Sequence, residues 1–224
     1  LDYHYDDAPS ADEQRHWFGK QLALGLELGM PIAIHDRDTN GETQAMLKAN
    51  GAFSEARTAR FTSAQEAGAC DAENILKLER DPVAIAQEAG ACDAESLPKL
   101  GRDPVAIAQE TGACDARILL HCFSGDADEA LAMTEIGAWI SIAGPVTFKN
   151  NQKTQEVAAA VPLSRLLIET DAPYLTPVPH RGEPNMSPYV EFTARKIAEL
   201  RGATYEEIAA VTTANAKKFY GIVG

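Results

Sequence analysis

Three short apolar runs in this chain each end on a side chain able to bind a metal. Pro31-Ile32-Ala33-Ile34 runs into His35, and Ile118-Leu119-Leu120 runs into His121. Leu166-Leu167-Ile168 runs into Glu169-Thr170-Asp171, with Pro173 just beyond. A brief apolar run bounded by breakers reads as a buried parallel strand. Polar groups at the carboxyl ends of such strands sit where open α/β sheets and β/α barrels place their chemistry. Helical stretches between the runs complete an alternation of strand and helix, which implies a parallel sheet or barrel with right-handed crossovers.

The helices are expected over Ser10 to Gly29, Gly41 to Asn50, Asp126 to Ile136, Thr154 to Ala160, Pro188 to Arg201 and Tyr205 to Phe219. Ser10 or Asp12 caps the first and Gly29 closes it. Trp17, Phe18, Leu22, Leu24, Leu26 and Leu28 are its expected apolar face, while Met46 and Leu47 face inward on the second. A further strand is expected over Trp139 to Ala143, before Gly144-Pro145.

Residues 61–116 differ in kind. Ala-Gln-Glu-Ala-Gly-Ala-Cys-Asp-Ala-Glu at 64–73 recurs at 86–95 and returns, slightly altered, at 108–117, a period of 22. Two and a half copies poor in large apolar residues are too few for a solenoid core. They read as a duplicated insertion within one domain spanning 1–224, built of short helices at 82–88 and 104–110, with no chemistry of its own.

The 45% hydrophobic content is that of a globular protein, and no run approaches the roughly 18–20 apolar residues of a membrane span. A net charge of −13 argues against a protein that coats nucleic acid, but not against one that grips a few phosphates through metal ions. Cys70, Cys92, Cys114 and Cys122 contain no Cys-x-x-Cys pair, so zinc-site spacing is absent and reduced thiols in the cytoplasm are expected. Nothing in the opening residues reads as a secretory leader.

Taken singly, His35 and His121 also read as packed or capping residues. Asp171 is stronger, because a carboxylate at a strand end is costly unless paired. Together the three suit zinc, manganese or magnesium at one barrel mouth, and such ions activate water and clamp phosphoryl oxygens. Glu169, two residues before Asp171 as the strand ends, is expected to point away from the ligands. The loop Pro179-His180-Arg181-Gly182-Glu183-Pro184-Asn185 offers Arg181 and Asn185 to a phosphate, or is a solvated turn. His4 and His16 read as surface or packing residues, and Ser124 and Thr170 have no base at nucleophile spacing.

Four motifs in order resemble the TatD family of metal-dependent deoxyribonucleases. They are Ile34-His35-Asp36-Arg37-Asp38, Leu120-His121-Cys122-Phe123-Ser124-Gly125, Glu169-Thr170-Asp171-Ala172-Pro173-Tyr174-Leu175, and His180-Arg181-Gly182 with Asn185. Leu1-Asp2-Tyr3 and the closing Thr212-Thr213-Ala214-Asn215-Ala216 extend the resemblance over 1–55 and 117–224. It implies a (β/α)8 TIM barrel of the metal-dependent hydrolase superfamily, with His35, His121 and Asp171 as metal ligands. It further implies that Asp171 and His121 are catalytic, that Arg181 and Asn185 bind substrate, and that a two-metal site hydrolyses DNA as a 3′ exonuclease. The family's His-x-His pair is missing, and its bridging Glu would precede Leu1, so the barrel is expected to be incomplete at its N-terminus. DNA is then the substrate, with no membrane and no stable protein partner. The alternatives are an inactive fragment acting as an interaction module, and a related barrel acting on small phosphoesters or amides.

Overall fold

The computed structural model describes residues 1–55, 57 and 116–222. The repeat, apart from Ala116 and Arg117, lies outside them, as do the short helices expected at 82–88 and 104–110. Four parallel strands form the described sheet: β1 (Ile32–His35), β2 (Ile118–His121), β3 (Ala138–Ile142) and β4 (Leu166–Ile168). Their order is β1-β2-β3-β4, each beside the next in sequence, as staves stand in a barrel wall; a doubly wound sheet would reverse direction. Asp2 adds a parallel bridge to Arg37 just beyond β1.

Side chains alternate across these strands and build two apolar layers. Ile118, Leu120, Ile140 and Leu166 join the main core with helical residues such as Met133, Val157, Ile197 and Ile208. Leu119, Trp139 and Leu167 face the other way and are covered by Phe219.

The helices are α1 (Ala11–Leu28), α2 (Glu42–Ala49), α3 (Ala127–Glu135), α4 (Gln152–Ala160), α5 (Val190–Arg201) and α6 (Tyr205–Tyr220). Their ends follow capping chemistry. Ser10 accepts from the Glu13 N–H, and Gly29 adopts φ +65° to close α1. Thr204 and Glu207 form a reciprocal capping box on α6.

Two local expectations are revised. Of the apolar residues on α1 only Leu22 is buried, while Trp17, Leu24 and Leu28 are about half exposed. Leu22, Leu24, Leu26 and Leu28 advance two positions at a time, roughly 200° per step, so they wrap the helix instead of forming one stripe. On α2, Leu47 is buried as expected, but Thr43 and Gln44, not Met46, fill the other inward positions.

Candidate metal centre

The register of the first two strands sets His35 directly opposite His121 at the carboxyl edge of the sheet. Their rings stand 6.1 Å apart. On the other flank β4 ends at Ile168, and the Glu169 N–H donates to the Ile142 carbonyl at 3.0 Å. The chain then turns through Asp171, which holds φ +58° without being glycine. Left-handed backbone at a non-glycine residue is uncommon and collects at functional loops.

Both carboxylates of this turn reach His121. Glu169 pairs with His121 Nδ1, and Asp171 Oδ1 lies 3.3 Å from Nε2. Glu169 also accepts the N–H of Cys122, a second residue with positive φ. The expectation that Glu169 points away therefore fails. Residues two apart share a face in period-two geometry, so the spacing of Glu169 and Asp171 favours convergence, and His121 receives both carboxylates.

The hydrogen bond to Glu169 raises the His121 pKa above the usual histidine range; burial opposes the shift and the Asp171 charge adds to it. A raised pKa stabilises the fold fully below the ordinary histidine value, and this contribution is lost as pH rises through the folded value. Burial pushes the Cys122 thiol up to about 12, with the charges of Glu169 and Asp171 adding to it. Cys122 is accordingly expected to react with iodoacetamide at pH 8 roughly a hundredfold or more slowly than a cysteine of the denatured chain. Site-resolved peptide mass spectrometry reads the rate, and equal labelling before and after denaturation would contradict the buried, charge-flanked thiol.

His35 is held from the other side. Its Nε2 lies 2.9 Å from Asp2 Oδ2. Gln14 fixes Asp2 by accepting its N–H at 2.9 Å and donating to its carbonyl at 2.7 Å. Burial would raise the Asp2 carboxyl, but the His4 N–H and His35 outweigh it and hold the group below the usual carboxylate range. Nothing at a strand end pointed to Asp2, which precedes β1 by a whole helix.

Behind the histidines lies a polar network. Asp36 accepts from Thr39 at 2.6 Å, Thr43 at 3.1 Å and Gln44 at 2.7 Å. The Gln44 amide also donates to Glu129 at 2.6 Å and so ties α2 to α3. A cleft of about 200 Å³ opens there, lined by Asp36, Asp38, His121, Ser124, Glu129 and Lys153 among others.

The loop after β4 is built around Asn185, whose residue is 6% exposed. Its side-chain amide donates to the carbonyls of Thr170 and Tyr174, both at 2.6 Å, so both hydrogens are used within the loop and not turned to solvent. That arrangement differs from the expected phosphate contact. Arg181 is exposed, with its guanidinium 3.9 Å above the Phe148 ring. Val178 ties the same loop to Thr147 at 2.9 Å. At Gly144 an added Cβ would lie 2.1 Å from the Leu175 carbonyl, so these two loops approach without room for a side chain. His4 pairs with Asp38, and His16 packs edge-on against Trp17.

These donors have the chemistry of a divalent-metal site in part. Two ligands on one tetrahedral ion with bonds of about 2.0–2.1 Å stand roughly 3.4 Å apart, close to the 3.3 Å between His121 Nε2 and Asp171 Oδ1. A ligating histidine characteristically gives its other nitrogen to a carboxylate, as His121 does to Glu169. Among the described residues, no three His, Cys, Asp or Glu side chains converge as a closed cation cluster.

The model of the TatD related DNase family matches residues 1–70 and 97–221. The chain belongs to this family. It is 34% identical to the uncharacterized metal-dependent hydrolase YabD of Bacillus subtilis over 222 residues, covering 99% of this chain and 63% of YabD. It is 43% identical to the uncharacterized metal-dependent hydrolase YcfH of Escherichia coli K12, covering 99% of this chain and 60% of YcfH. The chain thus spans about six-tenths of the length of these TatD relatives. The fold superposes on that of YjjV, a TatD homologue from Escherichia coli K12, with a TM-score of 0.64 at 21% identity, covering 100% of this chain and 62% of YjjV. A TatD family hydrolase from Entamoeba histolytica gives a TM-score of 0.62 at 14% identity, covering 98% of this chain and 60% of that one. The four strands are therefore consecutive staves of the TatD (β/α)8 pattern. No helix among the described residues is long and apolar enough to cross a membrane.

Proposed function

We propose that the chain is a metal-dependent hydrolase acting on DNA phosphodiesters, removing nucleotides from 3′ ends. The observation that supports it is the placement of His121 between Glu169 and Asp171, with His35 across from it in register. His35, His121 and Asp171 would hold a divalent ion, magnesium, manganese or zinc, as one half of a two-metal centre. When bound, such an ion supplies Lewis acidity toward phosphoryl oxygens and acidifies water. The chain's own residues then divide the remaining work. Glu169 fixes the tautomer and the ring plane of His121, leaving Nε2 for the site. Asp171 supplies negative charge at the same point. Arg181 contacts a substrate phosphate through the guanidinium edges that the Phe148 stack leaves open. Asn185 acts indirectly, by fixing the loop that presents Asp171. A cytoplasmic setting fits the free Cys122 thiol.

The deciding experiment is manganese- or magnesium-dependent release of nucleotides from labelled single-stranded DNA, with the chain run beside its Asp171→Ala variant. Release by the chain and loss in the variant is the expected result; release unaffected by the substitution would refute the assignment. One observation favours a second reading, an interaction module without turnover: the described donors do not close into a three-residue cluster. Absence of release from both proteins would select it.

A further inference from the structure

The sequence has six tyrosines, and in the structure five of them are engaged. Tyr3 donates to Glu42 at 2.8 Å, and Tyr5 accepts from Arg37 at 3.1 Å. Tyr189 stacks on His180 with ring centres 4.2 Å apart, Arg195 lies 4.4 Å above Tyr205, and Tyr220 meets Phe219 edge-on at 4.8 Å. Tyr174 is the exception. It is 71% exposed, more than any other large apolar or aromatic residue among those described. Its ring and hydroxyl have no ring, cation or hydrogen-bond partner among the described residues.

A bare aromatic ring is ordinary on a loose loop tip, but this backbone is held. The Tyr174 N–H donates to the Asp171 carbonyl at 2.9 Å, and its own carbonyl accepts from Asn185 at 2.6 Å. Just beyond, buried Thr176 donates to the Glu183 carbonyl at 2.6 Å. The loop that presents Asp171 therefore also presents an unpartnered ring three residues on, with few rotatable bonds to immobilise on binding.

Charge narrows what such a ring would take. A net charge of −13 denies the protein the general phosphate attraction that gives nucleic-acid binders their affinity. Stacking of a base on an aromatic side chain does not depend on that charge, tolerates any base, and needs the base unpaired.

We propose that Tyr174 is a stacking platform for an unpaired nucleobase next to the phosphodiester, and so a specificity-determining residue of the site. This rests on the DNA-hydrolase reading above.

The test measures binding by fluorescence anisotropy in EDTA, so that no cleavage intervenes. The chain and its Tyr174→Ala and Tyr174→Phe variants are titrated with a labelled short oligothymidylate and with an abasic strand of equal length. The expected result is that the chain and Tyr174→Phe bind the base-bearing strand about tenfold more tightly than the abasic one, and that Tyr174→Ala loses this preference. Retention of the preference by Tyr174→Ala, or its absence from the unmodified chain, would overturn the proposal. Manganese-dependent cleavage of the same oligothymidylate separates the two failures. Cleavage by the chain without base preference overturns the stacking role alone, whereas neither cleavage nor binding overturns the DNA reading and this inference with it. Because the ring is 71% exposed and has no ring, cation or hydrogen-bond partner among the described residues, Tyr174→Ala is expected to keep the thermal midpoint of the chain, which checks that folding is intact.

Discussion

Replacing His121 with asparagine is expected to weaken divalent-metal binding at least roughly a hundredfold and to remove metal-dependent hydrolysis. Among the described residues His121 is the one histidine joined to two carboxylates, Glu169 through Nδ1 and Asp171 through Nε2. Asparagine is too short to reach both and lacks a second ring nitrogen. The Glu169→Gln variant should show a smaller loss, roughly 10–100-fold, since it touches only the group that orients the ligand. Isothermal titration of manganese or zinc into each protein measures the order directly. His4→Asn is the control: His4 pairs with Asp38 at the surface and should leave affinity unchanged. Equal affinity in the chain and His121→Asn would place the metal elsewhere.

Trp139→Ala is expected to cost about 3–5 kcal/mol, the largest loss of any single truncation in the second apolar layer. Trp139 is fully buried and meets Phe219 edge-on with ring centres 5.8 Å apart. The Arg165 guanidinium lies 5.1 Å from the ring centre, so the substitution also strips a buried cation of its aromatic face. Phe219 comes from the last helix and Trp139 from a central strand, so the cavity would loosen the clasp between the chain's end and its sheet. Chemical denaturation measures the loss. Trp17→Ala removes an equally large ring that is 53% exposed, and should change stability by only about 0.5 kcal/mol or less. Similar losses for the two tryptophans would show that the Trp139 layer does not hold the sheet.

The strands and most helix ends were legible because their signals are local. Ile118 to Leu120 are buried throughout, as the run implies, whereas in β1, at the edge of the described sheet, Ile34 alone is buried and Ala33 is exposed; in both, the residues after the run end it. Ser10, Gly29 and Asp126 cap where short-range hydrogen bonding demands it. The positions of His35, His121 and Asp171 at strand ends followed from the same runs. What escaped depends on contacts across the sheet. Asp2 meets His35 only because the opening segment runs alongside residues 35–37. Glu169 was misjudged, not hidden: residues two apart share a face, so Glu169 and Asp171 both reach His121, while the positive φ at Asp171 is announced by no pattern of side chains. Gln44 was invisible as a tie between two helices because Glu129, its second acceptor, is 85 residues distant in sequence. The exposed face of α1 reverses the usual inference from leucine content, since helical geometry spreads residues spaced by two around the whole cylinder.

Gly144 has a bearing on how this protein could vary. The spacing between the segment after β3 and the loop that bears Asp171 is set by an atom that is not there: a Cβ would stand 2.1 Å from the Leu175 carbonyl. Relief must come from backbone, because the obstacle is a peptide oxygen and not a movable side chain. Even alanine at this position would therefore be felt as a displacement of the turn that presents Asp171, although the obstacle is the Leu175 carbonyl and not a side chain of the site. Tolerance to mutation here is governed by clearance between two loops, and the smallest possible insertion of matter becomes a remote handle on the geometry of the centre.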